Sequence, residues 1–199
     1  MTELPSSYIT AFLRDHAQDN VQQLALQRNR YPHLSDADFR FLLQQVEGRQ
    51  RTRDKLPSMV QIDGWWYPVR LSCEQCSSEA TARYKASLLD DDLPDMLIDL
   101  TGGYGVDTFF LSEKIPQVHY VERNAELCAI AQHNFSLASP QIQVHNTCAE
   151  EFLASLPFAS SPRRLIYLDP ARRSQSGGKV FRIEDCEPNI LDLLPALRA

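Results

Sequence analysis

The residues of this sequence best suited to chemistry lie in one stretch, Met96 to Asp107, which reads MLIDLTGGYGVD. One acid, Asp99, interrupts an apolar run of Met96, Leu97, Ile98 and Leu100. Thr101 and a turn carrying Gly102, Gly103 and Gly105 follow, and then Val106, Asp107 and the apolar Phe109, Phe110 and Leu111. This pattern predicts a buried strand, a tight turn and the start of a helix. In open α/β sheets, ligands bind outside the carboxyl ends of such strands. A phosphate-binding turn would need a lysine and a Ser or Thr after the last glycine, and neither is present. A dinucleotide turn would need G-x-G-x-x-G, whereas the spacing here is G-G-Y-G with Thr at position 108. An acid just ahead of the turn repels phosphate and favours a cation.

S-adenosylmethionine has the matching charge: a sulfonium, an ammonium and no phosphate. The glycines would let the backbone approach it closely. Two further acids fall where such a ligand could use them. Val118 to Val121 reads as a strand ending in Glu122, and an acid about 20 residues past the turn can bond a ribose diol. Leu165 to Leu168 reads as a buried strand that delivers Asp169 and Pro170 to the same edge.

These segments carry a resemblance. IDLTGGYGVD resembles the first motif of class I S-adenosylmethionine-dependent methyltransferases. Glu122-Arg123 with the following AELCAIAQHNF resembles their second strand end and helix, and YLDPARR, residues 167–173, resembles their fourth motif. Taken with SCEQCSSEATARYKA, the set is similar to bacterial methyltransferases that carry a THUMP-like domain, and the likeness covers roughly residues 73 to 195. The resemblance implies S-adenosylmethionine as cofactor and a base in RNA as the methylated group. It implies that Asp99, Thr101, Gly102, Gly103, Gly105 and Asp107 seat the methionine part. Glu122, with Arg123 beside it, would take the ribose, and Cys148, Ala149 and Glu150 would lie at the adenine. Asp169, Pro170 and Arg172 would face the acceptor. A helix before the first strand would close over the cofactor, with Ser78 and Lys85, and also Gln75, Ser77 and Thr81, lining the site.

Two departures from the family pattern stand out. Cys148, with Glu150 two residues on, occupies the place where an acid commonly meets the adenine amine. In the fourth motif, Ala171 and Arg172 replace a proline and an aromatic, so that Asp-Pro-Ala-Arg is similar to RNA uracil-5 methyltransferases. Those enzymes use a cysteine nucleophile placed after the motif. Only Cys186 follows here, and Glu184, Asp185 and Glu187 around it would blunt a thiol. Structural alternatives remain open at several positions. Asp107 suits the first turn of any helix, Ser77 or Ser78 suits a cap, and Arg172 and Arg173 suit ion pairs with Glu184 or Asp185. Two rival functions remain: a non-catalytic cofactor- or RNA-binding domain of a larger assembly, and a nucleotide-dependent oxidoreductase, against which the glycine spacing speaks.

Positioning these residues requires alternating elements. Strands at 96–100, 118–122, 142–146 and 164–169 alternate with helices at 105–114, 124–138 and 149–156. That order predicts right-handed βαβ units and an α/β fold, a Rossmann-like parallel sheet. Class I methyltransferases have a seven-stranded sheet, so the C-terminal strands are missing from this one. The open edge would be covered by a missing segment or by a partner. The sheet domain spans residues 73–199. A small helical module, 1–56, precedes it, with helices at Tyr8 to Leu13, Gln22 to Arg28 and behind a capping box at Ser35 to Asp38. Residues 57–72 are read as a β-hairpin link, because Asp63-Gly64 lies between two apolar runs. Trp65, Trp66 and Tyr67 there suit packing more than base stacking. Arg49 to Lys55 is the most basic stretch, suited either to a phosphate backbone or to a helix end.

The 199 residues are 43% hydrophobic and 23% charged, with a net charge of −6, which excludes a uniformly basic nucleic-acid binder. Five cysteines do not make a disulfide framework, and the lone Cys73-x-x-Cys76 has no second pair, so no metal site is predicted. The five histidines show no ligand spacing. With no signal peptide and no long apolar run, a cytoplasmic, non-membrane protein is expected. Ser174 to Gly178 reads as a substrate-gating loop.

Overall fold

The computed structural model of the protein describes residues 2, 4–89, 93–156, 163–171 and 182–198. The amino-terminal apolar pattern folds as predicted into helices. Ile9, Phe12 and Leu13 form the buried face of α1 (Ser6–Asp15). Asn20 caps the short α2 (Val21–Ala25). Helix α3 (Asp36–Thr52) opens on Ser35, whose hydroxyl accepts from the Asp38 amide, and it buries Phe39, Leu42 and Val46.

The link that follows corrects the sequence reading. Asp63-Gly64 does turn, with Gly64 at φ +80°, but residues 57–72 form no β-hairpin. Met59–Gln61 is a 3-10 turn, and residues 65–69 belong to no strand or helix. Side-chain amides take the place of a ladder. Gln45 accepts from the Tyr67 amide at 2.7 Å and donates to its carbonyl at 3.0 Å. Asn134 does the same for Trp66, at 2.8 and 2.9 Å. Buried backbone groups must be paired, and here two distant side chains pair them. Trp65 and Tyr67 are fully buried, in agreement with the packing role. Gly48 of α3 leaves room for them, since a Cβ there would stand 2.2 Å from that of Tyr67.

Two helices lead into the sheet: α4 (Arg70–Gln75), which periodicity did not predict, and α5 (Glu79–Ser87). The alternation then runs β1 (Met96–Asp99), α6 (Val106–Ser112), β2 (Gln117–Val121), α7 (Ala125–Ala138), β3 (Ile142–His145), α8 (Ala149–Ser155), β4 (Arg164–Tyr167) and α9 (Ile190–Leu197). The fold is α/β with a Rossmann-like sheet: all three pairings are parallel and the order is β3-β2-β1-β4. The chain steps outward from β1 in one direction, then returns to the other side of β1 for β4. That reversal opens a crevice at the carboxyl ends of β1 and β4, where ligands of such sheets bind. Among the described residues β4 is one edge of the sheet.

The helical module is not a separate body. One apolar cluster joins Ile9, Phe12, Leu42 and Trp65 to Tyr104, Val106, Phe110 and Ile130 of the α/β unit. The Trp65 indole donates to the Tyr104 hydroxyl at 2.9 Å across this seam. No helix among the described residues is long and apolar enough to cross a membrane. Replacing Asn134 by Ala leaves the buried Trp66 amide without its partner, and urea unfolding should show a loss of roughly 2 kcal/mol. An unchanged midpoint would mean that the amide pairing contributes nothing.

Candidate cofactor site

The glycine turn is tied from below by Asp99. Its carboxylate is 1% exposed. Oδ1 accepts from the Thr101 amide at 2.9 Å and Oδ2 from the Thr108 hydroxyl at 2.5 Å. Burial pushes its pKa up to about 7, with the two hydrogen bonds acting in the other direction. Asp99 borders the cavity described below, but its two oxygens are spent inside the turn.

The three glycines have different tasks. A Cβ on Gly102 would meet the Tyr120 ring at 2.2 Å, and one on Gly105 would meet Phe135 at 2.7 Å. Both are required by packing beneath the turn. Only Gly103, at φ +54°, faces open space, with nothing nearer to its Cβ position than the Thr101 carbonyl at 3.8 Å. There a ligand can approach the backbone.

Glu122 closes the turn from the side. Its Oε2 accepts from the Gly103 amide at 3.0 Å and its Oε1 from the Asn124 amide at 2.7 Å. Asn124 in turn caps α7. On the opposite side, the Asp169 amide donates to the Thr101 hydroxyl at 2.7 Å, leaving the Asp169 side chain exposed at the end of β4. Ala171 then pairs with Glu187 in an antiparallel bridge.

A cavity of about 590 Å³ lies over this turn. Its wall brings together the predicted Asp99, Thr101, Gly102, Gly103, Gly105, Asp107, Glu122, Arg123, Cys148, Ala149, Glu150, Asp169 and Pro170, together with Gln75 and Ser77. Three of the predicted residues are not part of it: Ser78, Thr81 and Lys85. Ser78 caps α5 by accepting from the Thr81 amide at 3.2 Å, which is the structural alternative the sequence left open. Lys85 lies behind the wall, with its ammonium 3.0 Å from Asp107 Oδ2 and 2.6 Å from the Tyr167 hydroxyl. Arg172, Arg173 and the expected loop at 174–178 lie outside the described residues. Sequence reasoning missed Tyr167 and Glu187 as wall residues. Tyr167 was read only as part of an apolar strand, and nothing local marked its hydroxyl.

Among the described wall residues, six carry carboxyl groups: Asp99, Asp107, Glu122, Glu150, Asp169 and Glu187. The one cationic side chain, Arg123, is paired with Glu187. A diphosphate meets net repulsion here, and a cation does not. Asp107 Oδ1 is buried and has no hydrogen-bond partner, so an acceptor is left vacant in a polar wall. An acceptor without a partner, open space over Gly103 and a set of acidic acceptors all fit a cationic nucleoside such as S-adenosylmethionine.

Three of the cysteines are blunted as nucleophiles. Burial pushes Cys73 up to about 12 and Cys128 up to about 11, and both thiols donate to backbone carbonyls. Cys148, at the cap of α8, is also raised, mainly by burial. In the basic stretch, Arg51 pairs with Glu47 and Glu74, and Lys55 donates to the carbonyls of Cys73 and Glu74. Arg51 thus joins α3 to α4, and Lys55 ties the residues just after α3 to α4. The histidines are also in structural contacts: His133 stacks on Trp66 at 3.7 Å, and His119 bonds His145 at 2.9 Å.

The fold and site together define a Rossmann-like α/β domain with an acid-lined cavity at its switch point. No family model matches the chain, and no curated protein does. Among solved structures, the chain is similar to a crystal structure of a "putative methyltransferase from Porphyromonas gingivalis W83", at 30% identity and a TM-score of 0.74. The match covers 99% of this chain and 47% of that one, so this chain spans about half the length of its neighbour. The likeness therefore includes the helical module as well as the sheet.

The raised value of Asp99 sets a pH test. Its folded pKa of about 7 lies above that of an unfolded aspartate, near ~3.9. The stability contributed by the neutral carboxyl is thus complete below pH ~4 and is lost as pH rises through ~7. The unfolding free energy of wild type relative to Asp99→Asn should fall by roughly 2–4 kcal/mol between pH 4 and pH 8. Equal differences at both pH values would rule out a buried titrating carboxyl.

Proposed function

We propose that this chain is the cofactor-binding part of an S-adenosylmethionine-dependent methyltransferase that acts on a base in RNA. The observation that carries the reading is the charge of the cavity: carboxylates surround the one glycine open to a ligand, with a vacant acceptor on Asp107. When bound, S-adenosylmethionine supplies a methyl group made electrophilic by its sulfonium. The residues of the chain bind and orient. Glu122, at the end of β2, would accept from the ribose hydroxyls. Asp107 would accept from the ammonium group, and Cys148, Ala149 and Glu150 would border the adenine. Asp169, exposed beside the turn, would accept a hydrogen bond from the acceptor base. The rate then comes mainly from positioning, which can lower a barrier by several kcal/mol, about 7 or more.

The choice of RNA is supported by the resemblance of residues 167–173 to the fourth motif of RNA methyltransferases and by the likeness to THUMP-like enzymes. Arg172 and Arg173 would supply charge for its phosphates. A further strand, from another segment or a partner, would cover the side of β4 on which no described strand pairs. The five free cysteines suit a reducing cytoplasm.

Calorimetry with S-adenosylmethionine and, separately, with NAD tests the reading. Binding of the first and not the second is expected, and Glu122→Gln should weaken it roughly tenfold. Preference for NAD would sink the assignment. Asp169→Ala should keep cofactor affinity within about twofold while methyl transfer to a pool of unmodified RNAs falls by roughly 100-fold or more. Equal loss of binding and transfer would place Asp169 at the cofactor instead.

A further inference from the structure

The two oxygens of Asp107 are treated unequally. Oδ2 accepts from three donors: the Ser77 hydroxyl at 2.8 Å, the Lys85 ammonium at 3.0 Å and the Tyr167 hydroxyl at 3.0 Å. Oδ1 accepts from none, although it is buried. The three donors come from three places in the chain, ahead of α5, within α5 and at the end of β4. They also bond one another. Lys85 donates to Ser77 at 3.0 Å and to Tyr167 at 2.6 Å, and its ammonium lies 5.2 Å from the centre of the Tyr167 ring. The group is largely shielded, with the Lys85 side chain 28% exposed and that of Asp107 12%.

We propose that Ser77, Lys85 and Tyr167 are positioning residues, which saturate one oxygen of Asp107 and so hold the other bare in the cavity wall for the ammonium group at the amino-acid end of the cofactor. The inference rests on the cofactor reading above. A free carboxylate rotates about its last bond and presents either oxygen to water. This one cannot rotate without breaking three hydrogen bonds to a charged acceptor, two from neutral hydroxyls and one from an ammonium. The arrangement is therefore made before a ligand arrives, and a preorganised acceptor loses less on binding. An acid placed only to favour a helix start would face solvent and need no such support. Burial and the neighbouring Asp107 carboxylate both push the Tyr167 phenol above its ordinary value, so it stays a donor.

Lys85 also carries charge that would itself repel an ammonium, so the clean test removes an uncharged donor. Tyr167→Phe keeps the ring and its packing. Calorimetry is done with S-adenosylhomocysteine, which carries the amino-acid end, and with 5′-methylthioadenosine, which lacks it. Tyr167→Phe should weaken the first roughly tenfold, as expected when a charge-assisted contact is misplaced, and change the second by less than about twofold. Ser77→Ala should show the same selectivity. In an Asp107→Asn background, Tyr167→Phe should add no further loss, because the residue it acts through is already altered. Parallel losses on both ligands would overturn the proposal in favour of a purely structural role, as would no loss on either. Equal affinity of wild type for the two ligands would overturn it while leaving the cofactor reading intact. Wild type binding neither ligand would remove the cofactor reading and this inference with it.

Discussion

A buried carboxylate holding a backbone turn is the constraint on which the site depends. Asp99 has left water almost completely, and it can do so because Thr101 and Thr108 hand it donors from both sides of the turn. The cost of its desolvation shows in its raised pKa. The bonds make one rigid piece of the β1 end, the turn and the first residues of α6. Thr101 passes this order on to Asp169 through its hydroxyl, and Gly103 passes it to Glu122 through its amide. The carboxyl ends of three neighbouring strands are thereby fixed relative to one another by a handful of short-range contacts.

The acids around the turn divide into two kinds. One kind is structural and faces inward, as Asp99 does. The other borders open space, and here the low density of positive charge sets the chemistry. Arg123 is engaged by Glu187 and Lys85 by Asp107, so the described cavity keeps an acidic character despite two nearby cations. A phosphate-bearing ligand finds neither a lysine nor a helix start free of acids. A ligand with fixed positive charge finds several acceptors already in place.

The helical module supports this arrangement through packing as well as through the contacts of Arg51 and Lys55 with α4. Tyr104, in the middle of the glycine turn, is buried and accepts from the Trp65 indole, so the turn rests on the aromatic segment that the module encloses. That segment is held in turn by the amides of Gln45 and Asn134, one from each side of the seam. The module thus shares one apolar cluster with the turn and with helices α6 and α7 of the α/β unit, and the similarity to the longer solved structure extends over both parts.

Much of this was legible in the residue order. Strand, turn and helix alternate where the apolar period changes. The caps at Ser35, Ser78 and Asn124 announce themselves by type and spacing, and Glu122 and Asp169 stand where parallel strands must end. These features are local, since each depends on a few neighbouring residues. Distant partners decided the rest. Asp63-Gly64 marks a turn in any context, but whether its flanks pair as strands depended on amides 22 and 68 residues away. Asp99 and Asp107 look alike as acids beside glycines, and only the packed chain gave one a donor on each oxygen and left the other with an oxygen that has none. Lys85 looked like a ligand contact until its bond to Tyr167, 82 residues further on, placed it behind the wall. Sequence alone set which elements form and where their ends lie, because periodicity and capping act at short range. Tertiary structure alone set which carboxylates are enclosed by the turn and which border the cavity, because solvent access and hydrogen-bond partners belong to the packed chain.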